Sequence, residues 1–223
     1  MWVKICGNTR LEDCQRAVEL GADALGFIFA HGKRLVTAEH VRTITSQLSS
    51  NTATYGVFTQ DDPEFITATA NAAGIFGVQM HGTFDPVQAA ALRTQFPKAE
   101  VPRLLQVVHW DVDAPVVEQQ QWLSGQLAVL ADSGLVDAVL VDSRTQQGSG
   151  GTGVTFDWAA AAPILQSAKL PVIAAGGLRP ENVRDAVRAL QPWGVDVSSG
   201  VESAPGAKDH AKLAAFIQSA RQR

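Results

Sequence analysis

With 223 residues, the chain suits one domain, 1–223, with a core of its own, since α/β barrels of 200–250 residues do not need to split. Hydrophobic residues make up 46% and charged ones 18%, which excludes a disordered chain. A net charge of −4 leaves no basic face for nucleic acid, so an anionic ligand has to be held by local donors.

Met1 leads directly into strand-like Trp2–Cys6, with neither a leader pattern nor a run of eighteen apolar residues; the expectation is a cytoplasmic protein with no membrane partner. Apolar strand-like runs recur at Val3–Cys6, Ala24–Phe29, Ala53–Phe58, Ile75–Met80, Arg103–Val108, Asp137–Val141, Val172–Ala175 and Val195–Val197. Helix-period segments lie between them, which is the alternation of a parallel sheet. Thr9 to Glu12 reads as a capping box for a first helix that Gly21 stops, with Leu11, Cys14 and Val18 on one face. Asp85-Pro86 and Arg179-Pro180 open further helices, Thr155 opens another, and Asp209 caps the last. Eight strand–helix units in this length predict a single (β/α)8 TIM barrel; Gly7-Asn8-Thr9 is not the glycine fingerprint of an open dinucleotide-binding sheet.

In such a barrel the reactive groups stand where strands end, and strand alternation puts Lys4 and Cys6 on one face of the first strand. Ala138, Leu140 and Asp142 share a face of the sixth, so a thiol and a carboxyl can converge across the barrel mouth. His81 follows the fourth strand as a substrate-binding candidate or, before Gly82, a turn residue; Asp196 stands on the eighth. The two cysteines fit neither a disulfide framework nor a metal-binding spacing, and Cys14 falls on an apolar helical stripe. Gly176-Gly177 and Ser198-Ser199-Gly200 end the last two strands without bulk, so bare backbone N–H groups there can crowd around a phosphate.

Several strand ends carry a family's signature: Lys4-Ile-Cys-Gly-Asn-Thr9, Gly26-Phe-Ile-Phe29, Val78-Gln-Met-His-Gly82, Val139-Leu-Val-Asp-Ser143, Gly150-Gly-Thr-Gly-Val-Thr-Phe-Asp-Trp158, Ala175-Gly-Gly-Leu178 and Gly194-Val-Asp-Val-Ser-Ser-Gly-Val-Glu202. In that order and from end to end, the chain resembles phosphoribosylanthranilate isomerase. It departs from the pattern at Gly32, where the family usually has serine, and at Val154, where lysine is frequent.

The resemblance implies an Amadori rearrangement in tryptophan biosynthesis, from N-(5-phosphoribosyl)anthranilate to 1-(2-carboxyphenylamino)-1-deoxyribulose 5-phosphate. It makes Asp142 the acid and Cys6 the base, with no metal and no organic cofactor. Arg34 is the expected fork for the substrate carboxylate, Asp196 a partner for a sugar hydroxyl, and backbone N–H groups of Gly153, Gly176, Gly177, Ser199 and Gly200 the phosphate donors. Lys4 is expected to favour the Cys6 thiolate by charge; for Asp142 two routes stay open, partial burial that raises its carboxyl or a proton delivered only as the substrate's oxygen becomes basic. The expected partner is the phosphosugar alone, bound by a monomer. Two alternatives belong elsewhere: an aminoaldose isomerase of histidine biosynthesis, against which Cys6 argues because that design puts a carboxylate on the first strand, and a catalytically idle phosphosugar-binding barrel.

Overall fold

The structure is a computed structural model that describes residues 1–49, 51–59, 61–145, 148–149 and 154–222. Its parallel strands are β1 (Trp2–Ile5), β2 (Ala24–Ile28), β3 (Ala53–Phe58), β4 (Gly77–Met80), β5 (Leu104–Asp111), β6 (Ala138–Thr145), β7 (Val172–Ala174) and β8 (Gly194–Val197). Each pairs with the next, and β8 returns to β1 through Trp2↔Gly194, Lys4↔Asp196 and Ile5↔Val197, so the sheet closes on itself. Helices α1 (Leu11–Glu19), α2 (Ala38–Thr45), α3 (Pro63–Ala73), α4 (Pro86–Gln95), α5 (Val116–Ser133), α6 (Trp158–Gln166), α7 (Val183–Leu190) and α8 (His210–Arg221) ring it. None is long and apolar enough to cross a membrane.

Strand alternation divides the apolar residues into two cores. Val3, Ile5, Leu25, Phe27, Val139 and Val141 face outward onto the helices, where Cys14, Leu92, Leu127 and Phe216 cover them. Ala24, Tyr55, Leu105, Leu140 and Ile173 fill the barrel interior, with Trp2 and Phe76 packed against them. Lys4 lies on the interior face of β1 and is wholly buried.

Local signals place most helix starts. Asp85 accepts hydrogen bonds from Val87 N and Gln88 N, and Asp209 from Ala211 N and Lys212 N. Three predicted starts move. The Thr9 hydroxyl donates to Gly206 O at 2.6 Å, so it caps nothing and α1 opens at Leu11 without a side-chain cap. Asp157, whose carboxylate accepts from Ala160 N, takes the place expected of Thr155. Asn182 Oδ1 accepts from Arg179 N, which holds the chain in a turn until α7 begins at Val183.

Candidate active site

A cavity of about 710 Å3 opens at the C-terminal ends of the strands and is lined by Cys6, Arg34, His81, Asp142, Gly176, Gly177, Asp196, Ser199 and Gly200. Residues drawn from the whole length of the chain thus meet in one space. Gly153 lies outside the described residues.

Cys6 is the first residue past β1 and only 5% exposed. Its N–H donates to Val197 O at 2.8 Å, which ties it to the closing strand. Opposite it on β2, Gly26 supplies the room for sulfur: a Cβ there would stand 2.7 Å from Sγ. Lys4 reaches both Asp196, at 2.7 Å, and the thiol. Burial pushes the Cys6 thiol up, and the neighbouring Lys4 ammonium offsets only part of that. The expected influence of Lys4 is therefore present in direction, but desolvation is the larger effect.

Asp142 differs from its predicted place. It lies inside β6, not beyond it, because β5 and β6 stay paired as far as Asp111↔Arg144, with His109 opposite Asp142. Only 7% of the residue is exposed, and burial, followed by the nearby Asp196 charge, pushes its carboxyl up to about 7. That is the condition expected for an acid at neutral pH. Gly176 packs against it with φ of +78°, and a side chain there would collide with Ser143 and come within 2.9 Å of Asp142 Oδ1.

His81 N donates to Phe58 O at 2.7 Å. Its ring meets that of His109 edge to face, with centroids 4.9 Å apart. Burial, with His109 and Lys4 in support, brings His81 down to about 4, so the ring is neutral at pH 7.

Arg34 is already engaged. Its Nε and Nη2 donate to Glu202 Oε1 and Oε2 at 2.8 and 2.6 Å, so one edge of the planar fork is filled. The Nη1/Nη2 edge makes no such pair and has the planar geometry that suits a carboxylate. Glu202 is held in turn by Lys208 Nζ at 3.1 Å, and the same ammonium donates to Cys6 O at 2.5 Å. Burial works to raise the Glu202 carboxyl, yet Arg34 and Lys208 hold it below its usual value. Sequence reading missed Glu202 and Lys208 in this site, and His109 outside it. The signal for the first two was the turn-forming Pro205-Gly206 between them, which folds Glu202–Ala204 against Ala207–Lys208 as a small hairpin.

Gly176, Gly177, Ser199 and Gly200 line the same cavity as Arg34, and among the described residues no acceptor takes their N–H groups. The second pair lies within a 3₁₀ turn of only three residues, Ser199–Val201, and α7 begins only at Val183, so an anion here is met by bare N–H groups more than by a helix dipole.

The family model described as N-(5'phosphoribosyl)anthranilate (PRA) isomerase matches residues 3–219. The N-(5'-phosphoribosyl)anthranilate isomerase of Desulforudis audaxviator is 39% identical over 99% of this chain and 98% of its own, and that of Pelobacter propionicus 39% over 99% and 95%. Phosphoribosyl anthranilate isomerase from Thermotoga maritima superposes with a TM-score of 0.83 at 33% identity, covering 99% of this chain and 98% of that one. A phosphoribosyl anthranilate isomerase in complex with reduced 1-(o-carboxyphenylamino)-1-deoxyribulose 5-phosphate matches at 31% identity and a TM-score of 0.80, over 99% and 98%. The chain belongs to the N-(5'-phosphoribosyl)anthranilate isomerase family.

Proposed function

We propose that the chain rearranges N-(5-phosphoribosyl)anthranilate to 1-(2-carboxyphenylamino)-1-deoxyribulose 5-phosphate by acid–base catalysis, with no metal or organic cofactor in the reaction. Asp142 gives its proton to the furanose oxygen, the ring C–O bond breaks, and the nitrogen lone pair forms the Schiff base. Cys6 then takes the proton from sugar C2, and the C–H electron pair moves to neutralise the iminium as an enolamine. Tautomerisation of the enolamine to the ketone completes an isomerisation in which every proton removed is matched by one delivered.

The observation that carries the reading is a carboxyl raised to about 7 on one wall of the cavity that Cys6 also lines. Arg34 takes the anthranilate carboxylate on its open edge, Asp196 and His81 bind the sugar, and the backbone at Gly176, Gly177, Ser199 and Gly200, with Gly153, takes the phosphate. All these groups come from one chain, so a monomer suffices. Phosphorylated sugars do not cross membranes unaided, which puts the enzyme with its substrate in the cytoplasm.

Freshly made phosphoribosylanthranilate is fluorescent, and its decay measures turnover directly. Cys6→Ala and Asp142→Asn are expected to lose roughly 10²–10⁴-fold in kcat while still binding a product analogue, because proton transfer contributes little to ground-state affinity. Cys14→Ala, altered only in the outer core, keeps its turnover. Either active-site variant working within a few-fold of the parent removes that residue from its role.

A further inference from the structure

On three neighbouring strand ends, β4, β5 and β6, stand His81, His109 and Asp142, and their ligating atoms all lie within 4.8 Å of one another. Nδ1 of His81 and Nδ1 of His109 are both shielded from solvent and have no hydrogen-bond partner. Two unpartnered imidazole nitrogens are costly to bury unless something fills their lone pairs. The edge-to-face contact of the two rings, with centroids 4.9 Å apart, orients each of them, as a second contact commonly does for metal-binding histidine. Beside them a second cavity, of about 380 Å3 and lined by Thr59, Gln106, Trp122 and Arg144 as well as the two histidines, gives an ion and its waters a way in.

We propose that His81, His109 and Asp142 capture a divalent transition-metal ion of the zinc class, and that the bound ion stops turnover by taking the Asp142 carboxylate out of proton transfer. Two imidazoles and one carboxylate suit zinc, cobalt or nickel, whereas magnesium and calcium prefer oxygen alone. Bonds of about 2.0–2.2 Å to each ligand bring the donor atoms to roughly 3–4 Å apart, a closing that small rotations of the two rings supply. Asp142 releases its proton to solvent as the ion binds, no electron is transferred, and water fills the remaining positions. The ion site stands on its own geometry; its effect on rate rests on Asp142 being the acid of the proposed isomerisation.

Calorimetric titration of the whole protein with Zn²⁺ is expected to show one site, and Co²⁺ to give a visible ligand-field spectrum without a thiolate charge-transfer band. His109→Ala should keep the parent's turnover in metal-free buffer, weaken Zn²⁺ binding by on the order of tenfold or more, and escape inhibition at a Zn²⁺ concentration that halves parental activity. His109→Phe, which keeps a ring in place, should behave alike and guards against a cavity that fails to fold. Equal Zn²⁺ affinity in parent and variants, or a cobalt adduct with a thiolate band, would send the metal to Cys6 and overturn the proposal. His109-dependent binding that leaves turnover untouched overturns the inhibitory half and, separately, takes the acid's role from Asp142.

Discussion

Asp142 and Cys6 are raised by the same cause, burial, yet the proposed reaction asks one to hold a proton and the other to lose one. The productive arrangement, thiolate with carboxylic acid, is then the minor form of the singly protonated pair, and that pair replaces the doubly protonated one as pH rises through about 7. Turnover measured as kcat/KM is therefore expected to climb through about pH 7 and to hold until the raised thiol range is reached. A rate falling across pH 7 would mean that Cys6 is already ionised there, and the assignment fails. The same shift has a sign for stability. The native carboxyl, at about 7, binds its proton more tightly than the unfolded one, so its contribution is present at low pH and lost as pH rises through the native value. Asp142→Asn should match the parent in urea unfolding near pH 4 and exceed it above pH 7, by up to about 4 kcal/mol. Cys6, Asp142 and Asp196 were legible from strand alternation and motif. His109 was not, because its role as the residue opposite Asp142 depends on how far β5 and β6 stay paired.

Among elements, the turns after β7 and β8 are proposed to hold one anionic end of the substrate by backbone, as Arg34 is proposed to hold the other by side chain. Gly177 has φ of +64°, and a Cβ there would stand 2.6 Å from the Val154 carbonyl. Gly177→Ala should cost stability of about 1–2 kcal/mol from the left-handed backbone, and should weaken inorganic phosphate and product-analogue binding together while leaving anthranilate binding unchanged. Competition titration separates the two ends; unaltered phosphate affinity would move the phosphate away from this turn. Helix starts show why element boundaries were only partly readable. Aspartates 85 and 209 cap where they stand, and a carboxylate suits the positive end of a helix. Thr9 has the right spacing for a cap but finds a stronger claim on its hydroxyl in Gly206, a residue 197 positions away that no local pattern contains.

The whole molecule is held in a ring by the pairing of its first and last barrel strands, and the Lys4–Asp196 ion pair sits in that pairing, at register partners 192 residues apart. Alternating strands and helices made the barrel readable, since a parallel sheet of eight strands can hide its two edges by closing. The ion pair across the seam was not readable, because separate sequence segments do not announce their register. Lys4 has no exposed surface, so Asp196→Ala leaves a buried ammonium with its main partner gone. Destabilisation of about 3–5 kcal/mol is expected in denaturant unfolding, and a Lys4→Met/Asp196→Leu double variant should recover most of it. A single variant as stable as the parent would mean that the seam is pinned by its backbone alone.

The space that Gly26 leaves for sulfur links two positions in the order in which they can change. With cysteine at position 6, alanine at 26 meets Sγ at 2.7 Å, so this step is barred first and open only after residue 6 has become smaller. A base bulkier than a thiol is possible only while the glycine stays. Position 26, which does not line the cavity, therefore limits what the first strand can carry at position 6, and any attempt to exchange that side chain for a larger one has to begin by leaving the glycine alone.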